Sequence, residues 1–113
     1  MSSDRVQSRL RDIIDNAESI AEYLGGMGWD QFNRDRMCGD AVERCLQRII
    51  EAVIQIGEAE TTRVGLAVPW VELRGLGNRL RHEYGRIDRR AIYDIATMDA
   101  PRPAAAAAQA LED

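Results

Sequence analysis

The sequence predicts an all-α fold, an antiparallel bundle of four to five helices. Three observations lead there. Apolar residues recur at helical spacing in several long stretches. No stretch alternates apolar and polar residues as a half-buried strand does. The breaks between stretches are short and carry Gly or Pro, which favours antiparallel neighbours. The 113 residues predict a single domain spanning 1–113. Hydrophobic residues make up 45% of the chain and aromatic ones 5%, so the core is aliphatic and rich in Ala.

The first helix runs over residues 4–24. Val6, Leu10, Ile13, Ala17, Ile20 and Leu24 form one face, Ser2, Ser3 and Asp4 are candidate caps, and Gly25-Gly26 ends it. Trp29 and Phe32, three apart, predict a short helical turn whose aromatics plug one end of the core. A second long helix is expected from Arg36 to Ala59. Its inward face is Met37, Ala41, Val42, Cys45, Ile49, Ala52, Val53 and Ile56, and Gly57 offers close approach to a neighbour. Thr61 to Val68 reads as a loop. Pro69 suits the first turn of a third helix with Trp70, Leu73, Leu76, Leu80 and Tyr84 inward, stopped by Gly85. Gly75 and Gly77 weaken that helix by roughly 1 kcal/mol each, so close packing against another backbone is expected. Asp88 caps a fourth helix over 89–98, with Ala91, Ile92, Ile95 and Met98 inward. Pro101 and Pro103 mark a break before an alanine-rich helix at 104–111.

Charge excludes some functions. The net charge is −4, so the whole chain is not steered to nucleic acid. All fifteen basic residues are Arg, which together with the high Ala content reads as coding bias. The stretch from Arg74 to Arg90 holds six Arg against Glu83 and Asp88, a local +4 able to hold an anion. No apolar run is long enough to span a membrane, and the first residues contain no apolar secretory region. A cytoplasmic location is the expectation. Cys38 and Cys45 stand two helical turns apart, about 10.5 Å, too far for a disulfide within one helix. With one His and no paired cysteine motif, no metal site is expected, and both cysteines read as small core residues.

The dense cluster of chemically able residues is Arg74 to Tyr84. Arg74, Asn78 and His82 are spaced i, i+4 and i+8 and share a helical face, with Arg79 beside His82 and Arg81 next to it in sequence. This set suits cleavage of a phosphodiester in RNA. An imidazole has an ordinary pKa near about 6.5, so it takes up or gives a proton at neutral pH. A guanidinium fork matches phosphate oxygens and stabilises the charge that develops on them. Asn78 would orient the phosphate or the imidazole, and no metal or other cofactor is required. The plain alternative is a His near a helix end, acting as a charge partner for the carbonyls on a solvated, Arg-rich face.

These residues carry a resemblance. Trp70, Leu73, Gly75, Leu76, Asn78, Leu80, His82, Glu83 and Tyr84, at their spacing, resemble the hallmark segment of the HepT-like proteins of the HEPN superfamily. Arg9 to Ile14 is similar to the family's first helix, and Asp35-Arg36, Asp40 to Arg44 and Ile49 to Ala52 to its second block. The resemblance covers most of the chain and implies a small HEPN-like helical bundle. It implies a metal-independent ribonuclease toxin, often assembled as a homodimer, paired with a minimal nucleotidyltransferase (MNT) antitoxin. His82 would be the acid or base, and the partner would use ATP to attach AMP to Tyr84. Asn78 matches the polar residue after the motif Arg. The motif Arg itself, usually five residues before the His, is replaced here by Gly77. Arg74, Arg79 or Arg81 would then substitute for it.

Two further readings stand beside the toxin. One is a non-catalytic subunit that pairs with a nucleotidyltransferase or binds RNA or nucleotide through the basic segment, in which case an Arg introduced in place of Gly77 would create activity. The other is a helical dimerisation module indifferent to His82 and Tyr84. Broad apolar faces, with Met27, Trp29 and Met37 reaching the surface, predict a dimer.

Overall fold

The computed structural model describes residues 3–66, 70–82 and 88–112, and for 70–72, 81 and 82 the backbone alone. Every regular element among them is helical. In chain order they are α1 (Asp4–Leu24), α2 (Trp29–Arg34), α3 (Arg36–Ile56), α4 (Glu58–Arg63), α5 (Trp70–His82), α6 (Arg89–Asp94) and α7 (Pro101–Glu112). A π-helical turn, Ile95–Asp99, links the last two. The four long helices carry the bundle, and α2, α4 and α6 are six residues each.

The first and third helices form the central pair. The apolar stripe of α1, Val6, Leu10, Ile13, Ile20 and Leu24, is buried against α3, as its spacing requires. The pair is antiparallel. Near the start of α1, Arg5 Nη1 donates to Gln55 O at 3.0 Å; near its end, Cys38 Sγ donates to Tyr23 O at 3.4 Å. Ser3 accepts from Val6 N at 3.2 Å and caps α1, and Gly25, at φ +53°, closes it in the left-handed conformation. Asp35 caps α3 by accepting from Cys38 N at 3.0 Å. Both cysteines are free and buried, and Ala107 is the buried anchor of α7 along α1.

Several expectations are corrected. The second long helix stops at Ile56, because Gly57 turns the chain at φ +91°. No atom of the described residues approaches where its Cβ would stand, so Gly57 is a hinge in the path and not a contact surface. The expected loop begins as α4, fixed by Thr61, which is fully buried and donates from Oγ1 to Glu58 O at 2.9 Å. The two prolines lie in the first turn of α7, where a missing N–H costs nothing, so that helix starts at Pro101 and not at 104. Met98 is 65% exposed, not inward, since the wider π turn rotates the register after Asp94. Met37, in the first turn of α3, is 82% exposed. Met27 and Trp29 are half-buried and pack on the core. Ser2, Pro69, Glu83, Tyr84 and Gly85 lie outside the described residues, as do the side chains of Trp70, Arg81 and His82.

The aromatic plug is observed, with more members than expected. Phe32 and Tyr93 stand 5.1 Å apart between ring centroids, Trp29 and Tyr93 5.8 Å, and Tyr93 Oη donates to Met27 O at 2.9 Å. Arg89 completes this corner. Its Nη2 donates to Phe32 O at 2.7 Å and Asp35 O at 3.2 Å, and its guanidinium lies 5.1 Å from the centre of the Phe32 ring. Gly39 on α3 makes the space: a Cβ there would stand 2.7 Å from both terminal nitrogens. Arg89 Nε is buried without a hydrogen-bond partner among the described residues, beside a cleft of about 30 Å³ lined also by Asp40 and Glu43. Burial, then Asp40, push the Glu43 carboxyl above its ordinary range, while Arg89 pulls it down.

Two outcomes follow from this corner. Gly39→Ala should force the guanidinium off its carbonyls and lower stability by about 1–3 kcal/mol. In an Arg89→Leu background the same change should cost much less, a coupling read from a double-mutant cycle of urea midpoints. For Glu43, a raised folded pKa means the native state holds its proton longer than the unfolded chain. Stability is therefore lost as pH rises from the unfolded value through the folded one. Glu43→Gln should gain stability relative to the natural protein at neutral pH and show no gain below pH ~4.

Candidate functional site

α5 divides sharply into two sides. Leu76, Gly77 and Leu80 are buried and Leu73 is half-buried, and this side lies against α3. Arg74, Gly75, Asn78 and Arg79 are exposed. A helix turns about 100° per residue, so those four positions form one outward strip. Three of the expected site residues, Arg74, Asn78 and Arg79, are thus brought to the same open side. The backbone of His82 is helical, and the side chains of Arg81, His82 and Tyr84 lie outside the described residues.

Position 77 has a structural role. A Cβ on Gly77 would stand 3.0 Å from Ile50 Cγ2 and 4.0 Å from Ile54 Cδ1. The glycine lets α5 settle onto α3 side chains, and not onto another backbone as the sequence suggested. A side chain here would begin its path inside the interface, away from the exposed strip.

The basic segment is also less available than its sequence implies. Arg89 is tied to the α2 carbonyls. Arg90 lies 5.0 Å over Trp29 and 5.8 Å over Tyr93 and pairs with Asp94 at 3.2 Å. Both serve the α2–α6 corner. Sequence reasoning assigned these two to an anion surface. The overlooked signal was Gly39, a glycine inside a helical pattern with no turn to make.

Other chemistries find little support here. Burial raises the pKa of both thiols, with Asp35 adding to the effect at Cys38, so each stays protonated at neutral pH and is a poor nucleophile. Among the described residues no three His, Cys, Asp or Glu side chains gather as a metal site. An open groove of about 710 Å³ lies between α1 and α7, lined mainly by Ala and other apolar residues, and it contains none of the expected site residues. No described helix is long and apolar enough to cross a membrane.

Comparison with known proteins places this strip in context. A family model described as Ribonuclease HepT-like matches residues 13–109. The chain belongs to the HepT-like family. Within the HEPN superfamily, this HepT-like chain has curated relatives of nearly its own length. It is 32% identical to "Putative RNase MJ1380" of Methanocaldococcus jannaschii, over 90% of this chain and 93% of that protein. It is 32% identical to "Putative RNase MJ0127" of the same organism, over 89% and 83%. It is 29% identical to "Putative RNase TTE0752" of Caldanaerobacter subterraneus, over 81% of each. No solved structure matches the chain significantly.

For this HepT-like protein the packing at 77 has a measurable consequence. Gly77→Arg should overpack the α3–α5 contact and lower the urea midpoint, at a cost of about 1–3 kcal/mol or more. It should not restore a phosphate-binding Arg. A Gly77→Arg variant as stable as the natural protein would show that α5 can lift from α3 freely.

Proposed function

We propose that the chain is a HEPN-type endoribonuclease, the toxin of a toxin–antitoxin pair, acting as a homodimer in the cytoplasm. The observation that carries this reading is the HepT-like match, which includes the whole segment from Arg74 to Tyr84. The relatives named as RNases support RNA as the substrate class. The exposed donors of α5 supply the phosphate contacts: Arg74 or Arg79 takes the part of the motif Arg, with Asn78 beside it. Exposed Met37, Met98 and Tyr23 support an interface with a second copy.

The reaction needs no metal or other cofactor. The ribose 2′-oxygen attacks phosphorus while the bond from phosphorus to the 5′-oxygen breaks. The products are a 2′,3′-cyclic phosphate and a 5′-hydroxyl. His82 accepts the 2′-hydroxyl proton, the leaving oxygen takes a proton from water, and the hydroxide so formed takes the proton from His82. A guanidinium stabilises the negative charge that builds on the phosphoryl oxygens. Neutralisation falls to an MNT-type nucleotidyltransferase, which uses ATP to attach AMP to Tyr84. Its added phosphate would bring negative charge to that residue.

The replacement of the motif Arg by Gly77 favours a second reading, a binding subunit that pairs with the nucleotidyltransferase without cutting RNA. An inducible-expression growth assay with total RNA on a gel separates the two. The ribonuclease reading expects growth arrest and RNA loss that disappear with His82→Ala. Arrest that persists unchanged in that variant sinks the His82 assignment. Intact RNA and normal growth with the natural protein leave the binding subunit.

A further inference from the structure

The corner between α2 and α6 contains an arginine whose surroundings suit a ligand other than phosphate. Arg90 lies 5.0 Å over the Trp29 ring and 5.8 Å over the Tyr93 ring. The two ring centroids are themselves 5.8 Å apart. Rings on opposite faces of a guanidinium would stand nearly twice that far from each other, so both lie to one side of it. The other side is taken by neither ring, and the Arg90 side chain is 52% exposed. Its Nε meets Asp94 Oδ1 at 3.2 Å, one turn along α6. The guanidinium is a plane backed by two aromatics and held at its edge by a carboxylate.

The backing is itself fixed. Tyr93 Oη donates to Met27 O, and the Tyr93 ring packs on buried Phe32 at 5.1 Å between centroids. Trp29 stands 6.2 Å from Phe32. A long exposed side chain normally keeps its rotamer freedom, and an exposed ion pair returns little for losing it. At Arg90 that freedom is given up before any ligand arrives, which is preorganisation.

Charge decides between ligands. A phosphate that approaches Arg90 also approaches Asp94, so attraction to one is offset by repulsion from the other. A nucleobase has no net charge to be repelled, and its π face stacks on a guanidinium plane. Six positions along the chain separate His82 from Asp88, the cap of α6, a reach of at most about 22 Å. A strand bound at the proposed site needs only a few nucleotides to span that distance. We propose that Arg90, backed by Trp29 and Tyr93, is a stacking platform for an unpaired base of single-stranded RNA. The proposal rests on the ribonuclease reading and adds a contact that reads a base and not a phosphate.

The test measures the fluorescence anisotropy of two labelled strands. One is a single-stranded 2′-O-methyl oligoadenosine, which cannot be cut through its 2′-oxygen. The other is a matched abasic strand with the same phosphates. The full natural chain is compared with Arg90→Lys, which keeps the charge beside Asp94 and loses the plane, and with Arg90→Gln, which keeps a planar group and loses the charge. On the base-bearing strand Arg90→Lys should lose about tenfold in affinity and Arg90→Gln less. On the abasic strand Arg90→Lys should bind as the natural protein does. An equal loss on both strands makes Arg90 a phosphate or structural contact and overturns the proposal. Should a variant be partly unfolded, it weakens on both strands alike, so the ratio between them still decides. Unchanged affinity in both variants also overturns the proposal and leaves the ribonuclease reading intact. A natural protein that binds neither strand overturns it as well, and cleavage of unmodified RNA by that protein then decides the ribonuclease reading separately.

Discussion

The seating of α5 on α3 is the contact on which the candidate site depends. Position 77 has only hydrogen where other residues have a side chain, so the two helices meet closely at Ile50, whose Cγ2 would stand only 3.0 Å from a Cβ there. That closeness drives Leu76 and Leu80 into the core and sets the rotation of α5. Once the rotation is set, Arg74, Asn78 and Arg79 have one place to be, on the open side. The substitution that removes the motif Arg thus also fixes the helix that displays the remaining ones. On the ribonuclease reading proposed above, phosphate contacts would come from residues outside the position that the family's motif Arg usually holds.

Much of this was legible in the sequence. The stripe of α1 is a spacing argument that needs no partner, and its five large apolar residues are all buried. Glycine and serine marked both ends of that helix for reasons local to the backbone. The resemblance over the Asn78–Tyr84 segment pointed to the family from residue types and spacing alone, and the family match bears it out. The inward side of α5 also followed from periodicity, through Leu76 and Leu80.

The rest depended on pairings remote in sequence. Arg89 reads as one more cation in a basic segment until Phe32, Asp35 and Gly39, some fifty residues earlier, come within reach of it. The π turn adds a residue to one helical turn, an insertion with no composition of its own, and Met98 is turned outward as a result. The prolines of α7 follow the opposite logic: the same residue that breaks a helix interior is well suited to its first turn, and only the path of the chain decides between the two. Gly75 and Gly77 look alike in a sequence. Their difference lies in what stands opposite them.

The distribution of sulfur has a chemical corollary. Both thiols are buried and held protonated, whereas two thioethers, Met37 and Met98, stand open to solvent. An oxidant therefore meets the methionines first. A sulfoxide at either position adds a polar oxygen to a surface already wet and leaves the core as packed as before. The same oxygen would weigh on any apolar contact made through those two side chains, so peroxide would reach such a contact well before it reached the fold.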